Sequence, residues 1–314
     1  MAWKVFVDGQ EGTTGLRIHE VLATRCDVQM LHIEAEHRKE AQHRARLLNE
    51  ADVAFLCLPD AAARESAAMV TNPKTCVIDA STAHRTDAQW VYGLPELCEG
   101  QRQALRQTKR IANPGCHATA FILLLRPLVD AGLVSPHAAL SATSVSGYSG
   151  GGRKLIEQYQ AGGNTALQSP RPYGLSLQHK HLPEMMAHTG LSVAPVFMPI
   201  VAGYYQGLAV QVPLHRSQLQ ANADAHAVHR ALAQRYAHEP FVRVAPLGDA
   251  ANLSDGFFDI QACNGTNRAE LFVFAGADQM VLMAREDNLG KGASGAAIQC
   301  MNIHLGCDEG LGLI

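Results

Sequence analysis

The stretch that most limits the fold stands first in the chain. Trp3-Lys4-Val5-Phe6-Val7 is a short apolar strand, Asp8 to Gly15 is a turn of small residues, and Leu16 to Thr24 has a helical pattern. Gly9, Gly12 and Gly15 give G-x-x-G-x-x-G, with Thr13 and Thr14 between the last two. In the order strand, glycine turn, helix, backbone can approach a pyrophosphate while the helix N-terminus faces its charge. The spacing is not G-x-G-x-x-G, so an ordinary glycine-rich βα turn is the alternative.

The same alternation continues. Val28 to Ile33, Val53 to Leu58, Cys76 to Asp79 and Ile111-Ala112 read as strands, with helical stretches at His37 to Glu50 and Pro59 to Val70. Such a chain implies right-handed crossovers and a doubly wound parallel sheet, with ligands off the carboxyl ends of its strands. Behind the second strand come Glu34 and Glu36, then Arg38 and Lys39, with Arg44 and Arg46 beyond. An acidic residue there suits the ribose hydroxyl of NAD, and basic ones suit a 2′-phosphate. The basic set favours NADP over NAD; a solvated helix face is the alternative. Asp79 runs into Ala80-Ser81-Thr82-Ala83-His84-Arg85, which sets Arg85 at the ligand edge. Arg85 has the fork to hold a phosphate or carboxylate, or it forms a surface ion pair.

Asn113-Pro114-Gly115-Cys116-His117 leaves the last of these strands for a long apolar run, Ala118 to Val129. Phe121, Leu124, Leu125 and Leu128 repeat at helical spacing, and Gly132 suits the C-terminal cap. Cys116 is then expected at a helix N-terminus, where the macrodipole favours a thiolate, on the same rim as the glycine turn. A buried structural cysteine is the bland reading.

Beyond Gly132 the pattern changes. Leu140 to Ser146 reads as a strand, Gly147 to Lys154 as a glycine-rich basic loop, Leu155 to Tyr159 as the start of a helix and Gly162 to Tyr173 as a surface loop. His179-Lys180-His181-Leu182-Pro183-Glu184 puts two histidines and a carboxylate together, suited to a metal or to proton transfer. Proton transfer fits better beside a cysteine, and no further ligand set for a metal stands out. Which histidine would serve stays open, because side chains alternate along the strand expected there. Ser192 to Pro199, Leu208 to Pro213, Phe257 to Ala262, Leu271 to Ala275 and Met280 to Arg285 read as strands around a helical stretch, Ser217 to His238. Few crossovers imply a mostly antiparallel sheet. A small-residue helix from Ala296 to Leu305 is expected to return to the first domain.

Composition excludes several classes. With 314 residues, 47% hydrophobic and 18% charged, two globular domains are expected. A net charge of −3 gives no footprint for nucleic acid or an anionic membrane. The eight cysteines form no C-x-x-C pair, against a disulfide framework or zinc cage, and no signal peptide is visible, so the cytoplasm is expected.

Taken together, these motifs resemble the N-acetyl-gamma-glutamyl-phosphate reductases of the shorter type, relatives of aspartate-semialdehyde dehydrogenase. The resemblance rests on Gly9 to Gly15, Asp79 to Arg85, Tyr92 to Leu97 and Asn113 to Cys116. It continues through Ser146 to Gly150, His179 to Glu184, Asp287-Asn288-Leu289 and Lys291 to Gly295. It departs at Ala202-Gly203-Tyr204-Tyr205, where an arginine is expected after the proline-containing strand. The fold implied is α/β, a Rossmann-type doubly wound parallel sheet plus a second α+β domain with a mostly antiparallel sheet. Residues 1–115 would bind NADP(H), with 290–314 packing back on them, and 116–289 would form the catalytic and oligomerisation domain.

The activity implied is reductive dephosphorylation of N-acetyl-L-glutamyl 5-phosphate to the semialdehyde, in arginine biosynthesis, by a homo-oligomer (dimer or tetramer). Catalytic residues would be Cys116, His179, His181 and Glu184; Arg85, Asn113 and Ser149 would hold substrate or inorganic phosphate. Gly9, Gly12, Thr13, Thr14, Gly15, Arg38, Lys39, Ser81 and Asn288 would hold the cofactor, with no metal. Neither nucleic acid nor membrane is expected as a partner. The rivals are an aspartate-semialdehyde dehydrogenase or other acyl-phosphate reductase, an NADP-sensing regulatory protein, and a cysteine hydrolase.

Overall fold

The computed structural model describes residues 2–38, 40–220 and 223–313. They fall into two compact units, Met1–Gly115 with Ala293–Ile314, and Cys116–Gly292.

The first unit is built on six strands: β1 (Trp3–Asp8), β2 (Val28–Leu31), β3 (Val53–Leu56), β4 (Cys76–Asp79), β5 (Val91–Tyr92) and β6 (Arg110–Ala112). Helices α1 (Thr13–Ala23), α2 (Ala41–Glu50), α3 (Asp60–Ala68) and α4 (Gln101–Gln107) connect them. Sheet order is β2-β1-β3-β4-β6-β5, and every pairing is parallel. Alternate residues of each strand feed opposite faces, so both faces need cover. Val5, Val7, Phe55, Ile78 and Ile111 pack with Ile18 and Leu22 of α1 and with Ile298 and Met301 of the C-terminal helix Gly295–Leu305. Phe6, Ala54, Leu56 and Val77 pack on the other side with Leu47 and Leu48 of α2. This is a Rossmann-type doubly wound sheet. Strand β5 and helix α4 are too short to leave a pattern in the sequence.

The second unit begins with α5 (Cys116–Asp130). Its sheet contains β7 (Ser141–Gly147), β8 (Arg171–Pro172), β9 (Val196–Ala202), β10 (Leu208–His215), β11 (Val242–Val244), β14 (Ala269–Ala275) and β15 (Gln279–Glu286), in the order β11-β14-β15-β10-β7-β9-β8. Four of its six pairings are antiparallel; β11·β14 and β7·β9 are parallel. A separate hairpin pairs β12 (Leu253–Ser254) with β13 (Phe257–Phe258). Helices α6 (Gly152–Gln160), α7 (Leu182–Thr189) and α8 (Ala225–Arg235) complete the unit.

Several sequence expectations shift here. The strand expected from Ser192 starts at Val196 and runs on to Ala202, and the one expected over Phe257 to Ala262 ends at Phe258. The helix expected over Ser217 to His238 forms only over Ala225–Arg235, capped by Asp224, which accepts from the Ala227 N–H. His179 to Glu184 is not a strand: turns lead into α7, with His181 at its N-cap, Pro183 in the first turn and Gly190 closing it in the left-handed region.

Candidate active site

In the first unit the glycine turn is closed by contacts that only glycine allows. Gly9 has φ +90°, and a Cβ on it would lie 2.3 Å from the Cys57 carbonyl oxygen; one on Gly15 would lie 2.5 Å from the Gly9 oxygen. The Gly12 N–H donates to Gly9 O at 3.1 Å, and α1 starts at Thr13 with no side-chain cap. Thr13 and Thr14 are thus the first two helical residues, whose N–H groups have no place in the intrahelical ladder. A bare turn with donors facing outward fits a pyrophosphate.

Arg38, just past the 3₁₀ turn Ala35–His37, is bonded through Nη1 to the Glu11 carboxylate of the glycine turn. Lys39 lies outside the described residues. The other two bases near this segment serve the fold: Arg44 Nη2 is 2.8 Å from buried Asp8 and 2.6 Å from Ser66 Oγ, and Arg46 pairs with Glu50 at 3.2 Å.

At the carboxyl end of β4, fully buried Asp79 accepts from Ser81 Oγ at 2.7 Å and bonds His84 Nδ1 at 2.6 Å. The His84 ring stacks on Trp90 at 4.0 Å. This network fixes the loop carrying Arg85, which is 8% exposed and so is not a surface ion pair. Its Nε donates to the Asn113 carbonyl at 2.9 Å and its Nη2 to the Ala80 carbonyl at 3.1 Å. Asn113 Nδ2 donates to Ala293 O at 2.9 Å, while its buried Oδ1 has no hydrogen-bond partner among the described residues.

The chain leaves the first unit at Gly115, and Cys116 opens the second as the first residue of α5. The helix places its positive end at the sulfur-bearing residue, a setting that stabilises thiolate. Gly292 lies flush against it. A Cβ on Gly292 would come 2.7 Å from Cys116 Cβ and 2.8 Å from Glu286 Oε1.

Three histidines gather in this unit, two of them, His117 and His179, edge-on to Phe197. His117 and His179 are 5.6 Å apart between ring centroids, His117 and His181 5.4 Å, and His179 and His181 4.8 Å. Buried His117, absent from the sequence-derived set, bonds Ser144 Oγ through Nδ1 at 2.7 Å and the Tyr173 hydroxyl through Nε2 at 3.0 Å. Its position beside the cysteine was the available signal. His179 Nδ1 accepts from the His181 N–H at 3.2 Å, and His181 Nε2 stands 3.8 Å from the buried Glu184 carboxylate. Burial, with a charge on Cys116 nearby, pushes the Tyr173 pKa up, so its phenol stays protonated.

Desolvation lowers the His117 pKa to about 3, with His179 and Lys180 adding to it, and lowers that of His179 to about 4, with Lys180 adding. Both imidazoles titrate near ~6.5 in an unfolded chain. Below that pH the unfolded state binds more protons, so stability falls as pH drops and levels off only under the folded pKa values. For His117 the loss between pH 6.5 and 5 is about 2 kcal/mol; partly exposed His179 contributes less. The urea midpoint should therefore drop over this interval, and His117→Asn should flatten the drop. An unchanged slope in the variant would contradict the assignment.

Ser149 and Asn288 meet in the same unit. Asn288 Nδ2 donates to Ser149 Oγ at 2.9 Å, and its Oδ1 accepts from the Gly207 N–H at 2.8 Å. Asn288, expected at the cofactor, bonds the turn that follows β7 to the residue before β10. Tyr204 and Tyr205, where the sequence departs from the family pattern, pair by backbone with Tyr148 and Ser149.

The two units coincide with two family models. Residues 4–107 match the NAD binding domain of semialdehyde dehydrogenase, and residues 116–288 match its dimerisation domain. The chain is 46% identical to N-acetyl-gamma-glutamyl-phosphate reductase 2 of Nostoc sp., over 99% of each chain. It belongs to that reductase branch of the semialdehyde dehydrogenase family. N-acetyl-gamma-glutamyl-phosphate reductase of Burkholderia orbicola is 47% identical, covering 96% of this chain and 97% of the relative. Aspartate semialdehyde dehydrogenase II of Vibrio cholerae, solved with ASA, shares the fold at TM-score 0.71 and 16% identity, covering 97% of this chain and 98% of that one. Membership makes the protein an oxidoreductase with a nicotinamide-cofactor domain. No helix among the described residues is long and apolar enough to cross a membrane.

Proposed function

We propose that this protein reduces N-acetyl-L-glutamyl 5-phosphate to N-acetyl-L-glutamate 5-semialdehyde with NADPH, releasing inorganic phosphate, in the cytoplasm. The observation that carries the reading is Cys116 as first residue of α5, in a unit that also holds His179, His181 and Glu184. Cys116 thiolate attacks the acyl phosphate carbonyl; the C–O bond to phosphate breaks and a thioester remains. Arg85, with Asn113, receives the departing phosphate. NADPH, held at the glycine turn, would supply the hydride that reduces the thioester carbon. The thiohemiacetal oxyanion then reforms a carbonyl and expels the Cys116 sulfur, giving the aldehyde. N–H groups at the start of α5 stabilise the oxyanion in both steps.

His179, neutral well below pH 7, takes the thiol proton at the outset and returns one as the thiohemiacetal collapses. His181 and Glu184 orient it from the N-terminus of α7, and Ser149 contributes to the substrate pocket. Gly9 to Gly15 receives the pyrophosphate, Ser81 lines the same sheet edge, and Arg38, with Lys39, meets the 2′-phosphate.

The test runs the reaction backwards, with N-acetyl-L-glutamate 5-semialdehyde, NADP and inorganic phosphate. NADPH formation that requires phosphate supports the reading. Equal formation with aspartate semialdehyde would move the substrate to that relative, and no formation by folded protein that binds NADP would sink the catalytic proposal in favour of a sensor.

We also propose a homo-oligomer formed through the sheet face that no helix covers among the described residues. Register places Val196 and Met198 of β9, Pro213 of β10 and Val281 of β15 on that face, opposite the side packed on α5 and α8. Val196 is 50% and Met198 43% exposed. A two-fold partner would bury this strip, since an apolar face on strands invites a like face. Met198→Asp should drop the light-scattering mass to that of one chain, whereas an unchanged mass would place the interface elsewhere.

A further inference from the structure

We infer that His37, Glu40 and His43 form a binding site for a divalent transition metal of the zinc class. One ligand atom from each lies within 4.8 Å of the others. His37 Nδ1 is 2.9 Å from Glu40 Oε1, and His43 Nδ1 is 2.9 Å from Glu40 Oε2. One carboxylate thus stands between two imidazoles, and the rings stack at 4.1 Å with 13° between their planes. Each nitrogen now shares a proton with the carboxylate. An ion replaces these protons and draws the three donors in to the ~2.0–2.2 Å bonds of zinc, leaving a fourth position for water.

A second feature points the same way. His37 Nε2 lies 3.6 Å from the Glu36 carboxylate. Metal-bound histidines as a rule give their other ring N–H to a carboxylate, which fixes the tautomer and leaves the ligating nitrogen bare. Glu36 lies on the Nε2 side of the ring, where it would attract that N–H once an ion takes Nδ1, and Nδ1 faces Glu40. Two imidazoles with one carboxylate suit zinc, nickel or copper, and suit magnesium or calcium poorly. Backbone geometry supports the cluster as well. His37 ends the 3₁₀ turn Ala35–His37 and His43 lies in the first turn of α2, with Glu40 its N-cap residue. An ion there staples the exit of β2 to the start of α2, across the segment that carries Arg38.

The test is calorimetric titration with Zn²⁺, using the Cys116→Ser protein as parent to remove the thiol beside the other histidines. The parent should bind one equivalent of Zn²⁺ that is lost in the same protein carrying His37→Asn and His43→Asn. Glu36→Gln should retain the equivalent but weaken it by about 10-fold, the usual cost of losing an outer carboxylate. Far-UV circular dichroism checks that each variant is folded, and Glu40→Gln, which keeps both imidazoles, should also lose the equivalent. Identical stoichiometry and affinity in parent and double-histidine variant would overturn the site, as would Zn²⁺ binding to the parent only at millimolar concentrations.

Discussion

Cys116→Ser should lower turnover by on the order of 10⁴-fold, the scale on which removing a nucleophile from a covalent mechanism is felt. Serine keeps the shape of the side chain, and the helix start stays intact. The glycine turn that would receive the cofactor lies in the other unit, so the NADPH dissociation constant should hold within about 2-fold of the parent, well under the ~1.4 kcal/mol of a tenfold change. Stopped-flow reduction with the acyl phosphate, beside fluorescence titration with NADPH, separates the two quantities. Retained turnover would remove the thioester from the mechanism. Turnover and cofactor affinity lost together would indicate damage to folding, which a thermal melt detects.

Gly292→Ala should reach a similar end by displacement. The added methyl would stand 2.7 Å from Cys116 Cβ and 2.8 Å from Glu286 Oε1, closer than real Cβ contacts come. One neighbour is the stem of the proposed nucleophile and the other a fully buried carboxylate, so the methyl must displace one of them. A misplacement of about 1 Å costs around 10²-fold in rate. Turnover should fall by that much, with iodoacetamide alkylation of Cys116 slowed in parallel. Gly276→Ala is the control: its Cβ meets nothing closer than 3.8 Å, and the variant should keep parental activity. Equal activity of the two variants would mean that the Cys116 turn adapts freely.

What the sequence disclosed depended on how local each cause was. The glycine turn and the cysteine at a helix start were legible, because each is set by neighbours in the chain. The helix at Leu182–Thr189 was equally local, with Pro183 and Glu184 in its first turn and Gly190 at its end, yet the His-x-His spacing read as strand. Arg38 and Arg44 look alike in sequence. Only the fold assigns Arg44 to Asp8, 36 positions away, and leaves Arg38 at the glycine turn. His117 and Gly292 were hidden for the same reason. Their partners, Ser144 and Tyr173 for one and Cys116 for the other, come together only in the folded second unit.

Residues 116–292 form a single uninterrupted excursion from a first unit that resumes at Ala293. The excursion starts and finishes at neighbouring points, since Cys116 and Gly292 touch. Topologically, it is a guest domain threaded into a host by a closed loop, and such grafts leave the host's core continuous. Changes confined to residues 116–292 would therefore leave the host's strand order untouched. The cysteine proposed as nucleophile is the first residue of the guest, so the proposed substrate pocket and attacking sulfur would travel together.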